Sequence, residues 1–301
     1  MSNQPVQFGV FLSPKRENYA HLRTLVATAE STGFDFVSIQ DHPYVPHYLD
    51  TFALIANLLG LTDRLRFFTN VANLPLRPPA MLAKASATLD FISGGRFELG
   101  LGGGRNWPEI ISLGGPERTP AEVVRAVDEA ITVLRAMWSG ADVVDVEGEQ
   151  YSLISANPGP TPAHPIGIWL GAAGPRMLTL IGEKADGWIA PMGTDYETKP
   201  ASQARIDEAA RDAGRDPGDI RRVIQLVGIV SDDARTTQRP RTGSGGQAIV
   251  TTPEIWGQII AEFVEDERFD TVNFIPAEES VEQLTRFARE VMPAAQMRLG
   301  R

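Results

Sequence analysis

The chain has 301 residues, with 28 Lys and Arg against 38 Asp and Glu, giving a net charge of −10. Hydrophobic residues make up 43 % and charged residues 22 %, a globular balance that excludes a disordered or fibrous chain. The absence of cysteine excludes a disulfide scaffold, thiolate metal sites and cysteine nucleophiles, and an isoelectric point near 5.0 argues against a nucleic-acid surface.

Residues 1–7 are polar and carry no basic-then-apolar leader, and no stretch approaches the roughly 18 apolar residues of a membrane span, so a cytoplasmic location is expected. The apolar run 6–12 reads as a buried strand. Residues 19–32 have helical spacing, with Leu22, Leu25, Val26 and Ala29 on one stripe and Gly33 as the cap. A strand at 34–39, a helix at 51–61, a strand at 65–71 and a helix at 80–92 follow, the last ending in Ser93-Gly94-Gly95. A strand at 97–101 runs into Gly102-Gly103-Gly104, and Thr119-Pro120-Ala121-Glu122 forms a capping box that opens a long helix to Trp138.

The middle breaks the alternation. Residues 143–154 read as a β-hairpin turning at Gly148-Glu149-Gln150, and 157–165 carries four prolines and must be irregular. Strands at 166–170, 187–190, 223–230 and 271–275 then alternate with helices at 175–185, 203–213, 253–264 and 281–291, and a polar loop fills 231–252. Eight strands, each followed by a helix, in one chain of this length predict an α/β fold: a closed (β/α)8 TIM barrel spanning 1–301 as a single domain, with the hairpin and the loop as insertions.

Barrel active sites lie where the strands end, so the strand ends carry the functional reading. The second strand ends in Gln40-Asp41-His42-Pro43; His42, one of four histidines, is a candidate proton donor or acceptor, and Asp41 a candidate ring-orienting or ligand-accepting group. His42 and His47 lack the helical spacing of a zinc site and Pro43 and Pro46 break any helix there, so no metal is expected. Gly102-Gly103-Gly104 fails the dinucleotide spacing but offers bare backbone to a flat ring. Gly171-Ala172-Ala173-Gly174-Pro175-Arg176 joins a strand to a helix through small residues, leaving free N–H groups and a guanidinium for a phosphate. No pair of acids is placed for glycoside cleavage, and no serine stands in a nucleophile elbow.

Taken in order, Phe8-Gly9-Val10-Phe11, Asp41-His42-Pro43, Asn70-Val71, Leu76-Arg77-Pro78-Pro79-Ala80, the block from Ser93 to Gly102, Ile168-Trp169-Leu170-Gly171-Ala172-Ala173-Gly174 and Ala185-Asp186-Gly187-Trp188 resemble the luciferase-like monooxygenase superfamily, in particular its deazaflavin (coenzyme F420) branch. The resemblance implies a barrel holding F420, or alternatively FMN, at its C-terminal face. His42 matches the histidine that shuttles a proton near the reacting ring, and Asp41 lies beside the ring or its side chain. Asn70-Val71 matches a non-prolyl cis peptide that backs the deazaflavin. Gly102, Gly103 and Gly104 would approach the ring or ribityl chain, with Asn106 nearby, while Gly171, Ala172, Ala173, Gly174 and Arg176 would hold the phosphate. Arg105 and Asn106 stand where the sugar-phosphate dehydrogenases of that branch carry a catalytic acid, so glucose-6-phosphate oxidation is not implied.

The resulting expectation is an F420-dependent oxidoreductase transferring a hydride to or from a small organic substrate. Trp107, Trp188, Met192 and Phe11 are candidates to line a largely apolar pocket. The arginines of the 231–252 loop are candidates to meet an acidic cofactor tail. The alternatives are an FMN-dependent monooxygenase served by a flavin or F420 reductase, a non-catalytic flavin-binding protein on the same barrel, and a metal-dependent barrel hydrolase. A homodimer is expected from the resemblance, with no nucleic-acid or membrane partner.

Overall fold

The computed structural model describes residues 6–192, 195–240 and 248–300. Eight strands run parallel: β1 (Gln7–Leu12), β2 (Phe36–Ile39), β3 (Arg66–Thr69), β4 (Phe97–Gly102), β5 (Ile168–Gly171), β6 (Gly187–Ile189), β7 (Arg221–Val230) and β8 (Thr271–Pro276). Each pairs with the next in sequence, β8 returns to β1 through Gln7 against Thr271, and the cylinder is closed. Two short strands, Ala72–Asn73 and Ile249–Thr251, pair in parallel beside the C-terminal ends of β4 and β7. The helices are α1 (Tyr19–Thr32), α2 (Thr51–Leu59), α3 (Pro79–Ser93), α4 (Trp107–Ser112), α5 (Pro120–Trp138), α6 (Pro175–Lys184), α7 (Lys199–Asp212), α8 (Pro253–Glu265), α9 (Val281–Arg286) and, beyond a π-helical turn at Phe287–Val291, α10 (Met292–Arg298). The (β/α)8 barrel expected from the alternation is therefore present.

Local chemistry explains most boundaries. α1 buries the predicted stripe and stops at Gly33, whose φ of 97° an L-residue adopts only with strain. The capping box forms as expected, the Thr119 side chain accepting from the Glu122 N–H and the Glu122 carboxylate from the Thr119 N–H. The predicted hairpin is an antiparallel pair, Val144–Val146 with Leu153–Ala156, outside the barrel. Differences arise at helix starts. α7 begins at Lys199 rather than 203, because Pro200 is tolerated in a first turn whose N–H groups need no helical partner. The short α4, with Asn106 at its N-cap position, has too few residues to show a period and was not expected.

The barrel has two apolar compartments. A large core fills the space between sheet and helices. A small one, Phe36, Phe68, Trp169, Ile189 and Val223, fills the lumen, with Val71 packed against it from the C-terminal side. A polar layer crosses the lumen: Asn273 Nδ2 donates to Ser38 Oγ at 2.9 Å, and Asn70 Nδ2 donates to Gln225 Oε1 at 2.7 Å. These groups satisfy one another, as buried polar groups must.

The N-terminal rim is tied by charge. Arg96 donates to the carbonyls of Leu59, Leu65 and Ser93, and so clamps two αβ turns together. The His164 ring meets Asp90 Oδ1 at 2.6 Å and Glu98 Oε1 at 3.3 Å, and Glu98 also pairs with Arg66. Hydrogen bonds to Asp90 and then Glu98 raise the His164 pKa from its ordinary 6.5 to about 9. A raised folded pKa contributes stability that is complete below the unfolded value and is lost as pH climbs through the folded one. The stability gap between wild type and His164→Ala should therefore be widest near pH 6 and shrink steadily up to pH 9, as read by urea unfolding at a series of pH values. A gap that stays constant over that range would mean the histidine acts here without its charge.

Candidate active site

The C-terminal ends of β2, β3, β4 and β5 are neighbours in the barrel, so His42, Asn70-Val71, Gly102 and Gly171 share one half of the rim. His42 leaves the end of β2 half-buried, its ring stacked on Tyr44 at 5.4 Å and 18°. Its ring nitrogens have no hydrogen-bond partner among the described residues. Burial pushes its pKa down, the nearby Asp41 opposes this, and the positive Arg105 adds to it, so the imidazole is neutral at physiological pH with its nitrogens free.

Asp41, beside it, is enclosed by groups of the chain itself. It is 1 % exposed, and its carboxylate accepts from Arg77 Nε and Nη2, both at 2.7 Å, and from the Asn73 N–H at 2.9 Å. Arg77 also reaches Asp50 at 2.7 Å and lies 4.5 Å over the Phe52 ring. A buried carboxylate is tolerated only when paired, and this one is fully paired inside the protein. Asp41 thus ties two rim loops together. Arg77, its partner 36 residues away, was missed as part of the site because nothing in the spacing joins them.

The Asn70-Val71 peptide is cis, and it is non-prolyl. Asn70 points down into the polar layer, while the Val71 side chain rises into the mouth. A Cβ on Gly102 would lie 2.6 Å from Val71 Cγ2, and one on Gly171 3.0 Å from Val71 Cγ1. Both glycines make room for this valine. The glycine run is therefore not one ring-facing platform. Gly103 faces helix α5, where a Cβ would meet Val123 at 2.6 Å, and Gly104 has φ 97° and turns the chain against Pro75 and Trp107. Asn106 is exposed and donates from Nδ2 to the Tyr44 hydroxyl at 3.1 Å, bracing the residue that stacks on His42. Tyr44, two residues beyond His42 in the same loop, was not singled out in the sequence.

On the neighbouring strand, Ala172 is buried and its carbonyl accepts from Trp188 Nε1 at 2.8 Å, whereas Ala173, Gly174 and Arg176 are exposed at the start of α6. Gly174 has φ −70° and ψ 143°, open to any residue, and a Cβ there would meet nothing within 4 Å. Neither backbone nor packing within the chain requires a glycine at this position. The first N–H groups of a helix have no intrahelical partner, so this end can receive an anion.

The apolar candidates separate. Met192 is 38 % exposed beyond β6, Phe11 and Trp107 are partly buried, and Trp188 is 1 % exposed and stacked on Phe269 in the outer core, so Trp188 lines no pocket. In the 231–252 loop, Arg239 pairs with Glu267 at 3.1 Å and lies 5.1 Å over Phe263, engaged with α8 rather than with the mouth. Arg241 and the 243–246 run lie outside the described residues. Among the described residues no three His, Asp or Glu side chains gather as metal ligands, and no helix is long and apolar enough to cross a membrane.

A parallel barrel with a free histidine, a non-prolyl cis peptide at the end of its third strand and an open helix N-terminus after its fifth defines a class, and the chain belongs to the luciferase-like monooxygenase family, whose profile matches residues 5–267. It is 32 % identical over 217 residues to an uncharacterised protein of Mycobacterium tuberculosis, covering 68 % of this chain and 73 % of that one. It is 33 % identical over 201 residues to the F420-dependent glucose-6-phosphate dehydrogenase of Nakamurella multipartita, covering 64 % of this chain and 58 % of that protein. Its fold superposes on an F420-dependent secondary alcohol dehydrogenase, solved with an F420-acetone adduct, with a TM-score of 0.83 at 20 % identity over 97 % of this chain and 99 % of the other.

Proposed function

We propose that this chain is a coenzyme F420-dependent oxidoreductase that transfers a hydride between the deazaflavin and a small organic substrate. It would work as one barrel domain, in the cytoplasm and as a homodimer. The observation that carries the reading is His42: a half-buried imidazole at the end of β2, stacked on Tyr44, with neither ring nitrogen hydrogen-bonded among the described residues. Its family membership and its relatives named as F420-dependent dehydrogenases support it.

The residues present fit the cofactor. Gly174, at which an added Cβ would meet nothing within 4 Å among the described residues, leaves open space at the N-terminus of α6, where Ala173, Gly174 and Arg176 would hold a phosphate. Val71, seated between Gly102 and Gly171, would back a flat ring. Bound F420 supplies the hydride-accepting or hydride-donating carbon, and the barrel holds the substrate against it and excludes water. His42 would take the proton from a substrate hydroxyl in the oxidative direction, which its depressed pKa favours because the base form is already present. For the dimer, Met81, Phe91 and Ile92 on the outer face of α3 are 66 %, 64 % and 62 % exposed and give an apolar surface for a second copy.

The deciding experiment is a fluorescence-quenching titration with F420 and FMN in parallel. Tight F420 and weak FMN binding supports the reading. The reverse replaces it with an oxygen-using flavin monooxygenase that needs a reductase, and binding of neither overturns it. A companion substitution tests the phosphate site: Gly174→Asp should weaken F420 binding at least about tenfold through charge repulsion, with an unchanged melting temperature because the new side chain meets open space.

A further inference from the structure

Among the described residues, one ring contact holds His42. Its nitrogens have no hydrogen-bond partner there, and the ring torsion of a histidine is broad when nothing fixes it. The restraint falls on the Tyr44 ring, stacked against it at 5.4 Å and 18°. Tyr44 lies in a turn that His42 opens, where the Val45 N–H donates to the His42 carbonyl at 3.0 Å. Further along, this loop is tied to the loop after β1: the Arg16 N–H donates to the His47 carbonyl at 3.0 Å, and the Leu49 N–H to the Pro14 carbonyl at 2.8 Å. Residues 43–46 lack that tie. Among the described residues, their one side-chain bond to another strand end comes from Asn106 Nδ2, which donates to the Tyr44 hydroxyl at 3.1 Å.

Local chemistry releases Asn106 for this bond. It stands at the N-cap of α4, where an asparagine ordinarily accepts from the N–H of the second or third helical residue. Pro108 takes the second position and has no N–H, and the Asn106 side chain makes no cap bond. Its amide crosses to the loop after β2 instead, and so links the ends of β2 and β4. We infer that Tyr44 is a positioning residue that fixes the plane and place of the His42 ring, and that Asn106 locks Tyr44 in that position. As a device for proton transfer this rests on the F420 reading. A misplacement of about 1 Å in a reacting group can cost about 10²-fold in rate, so a base with no hydrogen bond to orient it depends on such a support. Tyr44 carries no proton in the reaction. Burial holds its hydroxyl pKa above the ordinary 10.0, so the phenol stays neutral and accepts the Asn106 bond through its oxygen.

The test follows the His42 ring by NMR relaxation in the isotope-labelled, cofactor-free protein, the signal being assigned by its absence in His42→Gln, with F420 binding measured in parallel. Tyr44→Phe keeps the stacked ring and loses the lock, and Asn106→Ala removes the donor. The ring order parameter should fall from the rigid range of about 0.85 in wild type to below about 0.6 in each variant. The double variant should go no lower than the singles, because both remove the same bond. Asn106 is exposed, so the melting temperature should hold in Asn106→Ala, and F420 affinity should stay within about twofold. F420 binding with His42 order unchanged in either single variant, or with a double variant that sums two separate losses, overturns the inference and leaves the F420 reading standing. Loss of order through the shared bond in a protein that does not bind F420 supports the positioning role and overturns the reading above.

Discussion

Replacing His42 with Gln is expected to lower turnover by about 10²–10⁴-fold, the usual contribution of a positioned acid–base group, while F420 affinity stays within about twofold. Glutamine keeps much of the volume and can still hydrogen-bond, but it cannot accept the proton. The imidazole is stacked on Tyr44 and bonded to nothing else in the described chain, so removing it leaves no buried partner unsatisfied and the melting temperature should hardly move. The pH profile carries the sign. The His42 pKa lies below 6.5, because burial penalises the charged form and Arg105 adds to that penalty. In the oxidative direction the active form is the base, so kcat/KM should be level through neutral pH and fall only as the solution is acidified below 6.5. Full activity of His42→Gln, or an acid limb that survives the substitution, would assign the proton transfer elsewhere.

The second large effect is on stability. Asp41→Ala removes a carboxylate that is 1 % exposed and strips Arg77 of two hydrogen bonds at 2.7 Å, leaving the guanidinium only Asp50 at the edge. Breaking a buried ion pair by deleting one partner costs about 3–5 kcal/mol, because the survivor remains desolvated and unpaired. The loss also frees the Asn73 N–H and loosens the loop that carries the cis peptide. Urea unfolding followed by fluorescence of the five tryptophans measures the loss. The pair with Arg77→Met, which removes the stranded charge, should be more stable than Asp41→Ala alone. A single variant within about 0.5 kcal/mol of wild type would show that the ion pair is not what holds the rim.

How much of this was legible beforehand depends on the kind of residue. The alternation of strands and helices, the α1 stripe with Gly33, the Thr119 capping box and the 143–154 hairpin are local patterns, and each appears as read. The block from Ser93 through Arg96 points strongly to the family, yet it lies on the N-terminal rim, where Arg96 binds three carbonyls far from the mouth. A motif can thus identify a fold through its scaffold and leave the chemistry unassigned. Within the site, His42 is at the mouth as expected. The pairing of Asp41 with Arg77 was not legible because the two lie 36 residues apart, and the packing of Gly103 and the turn at Gly104 were not because a bare backbone does not say which way it faces.

By itself the sequence determined the barrel, the family likeness, the rim positions and the candidate proton carrier, since these rest on periodicity, turn chemistry and neighbouring residues. Only the tertiary structure decided that Asp41 is paired with Arg77, that Val71 packs against Gly102 and Gly171 at the strand ends, and that Trp188 belongs to the outer core. Those outcomes depend on contacts between segments tens of residues apart. Burial and pairing there are set by where eight strand ends meet, which no local pattern encodes.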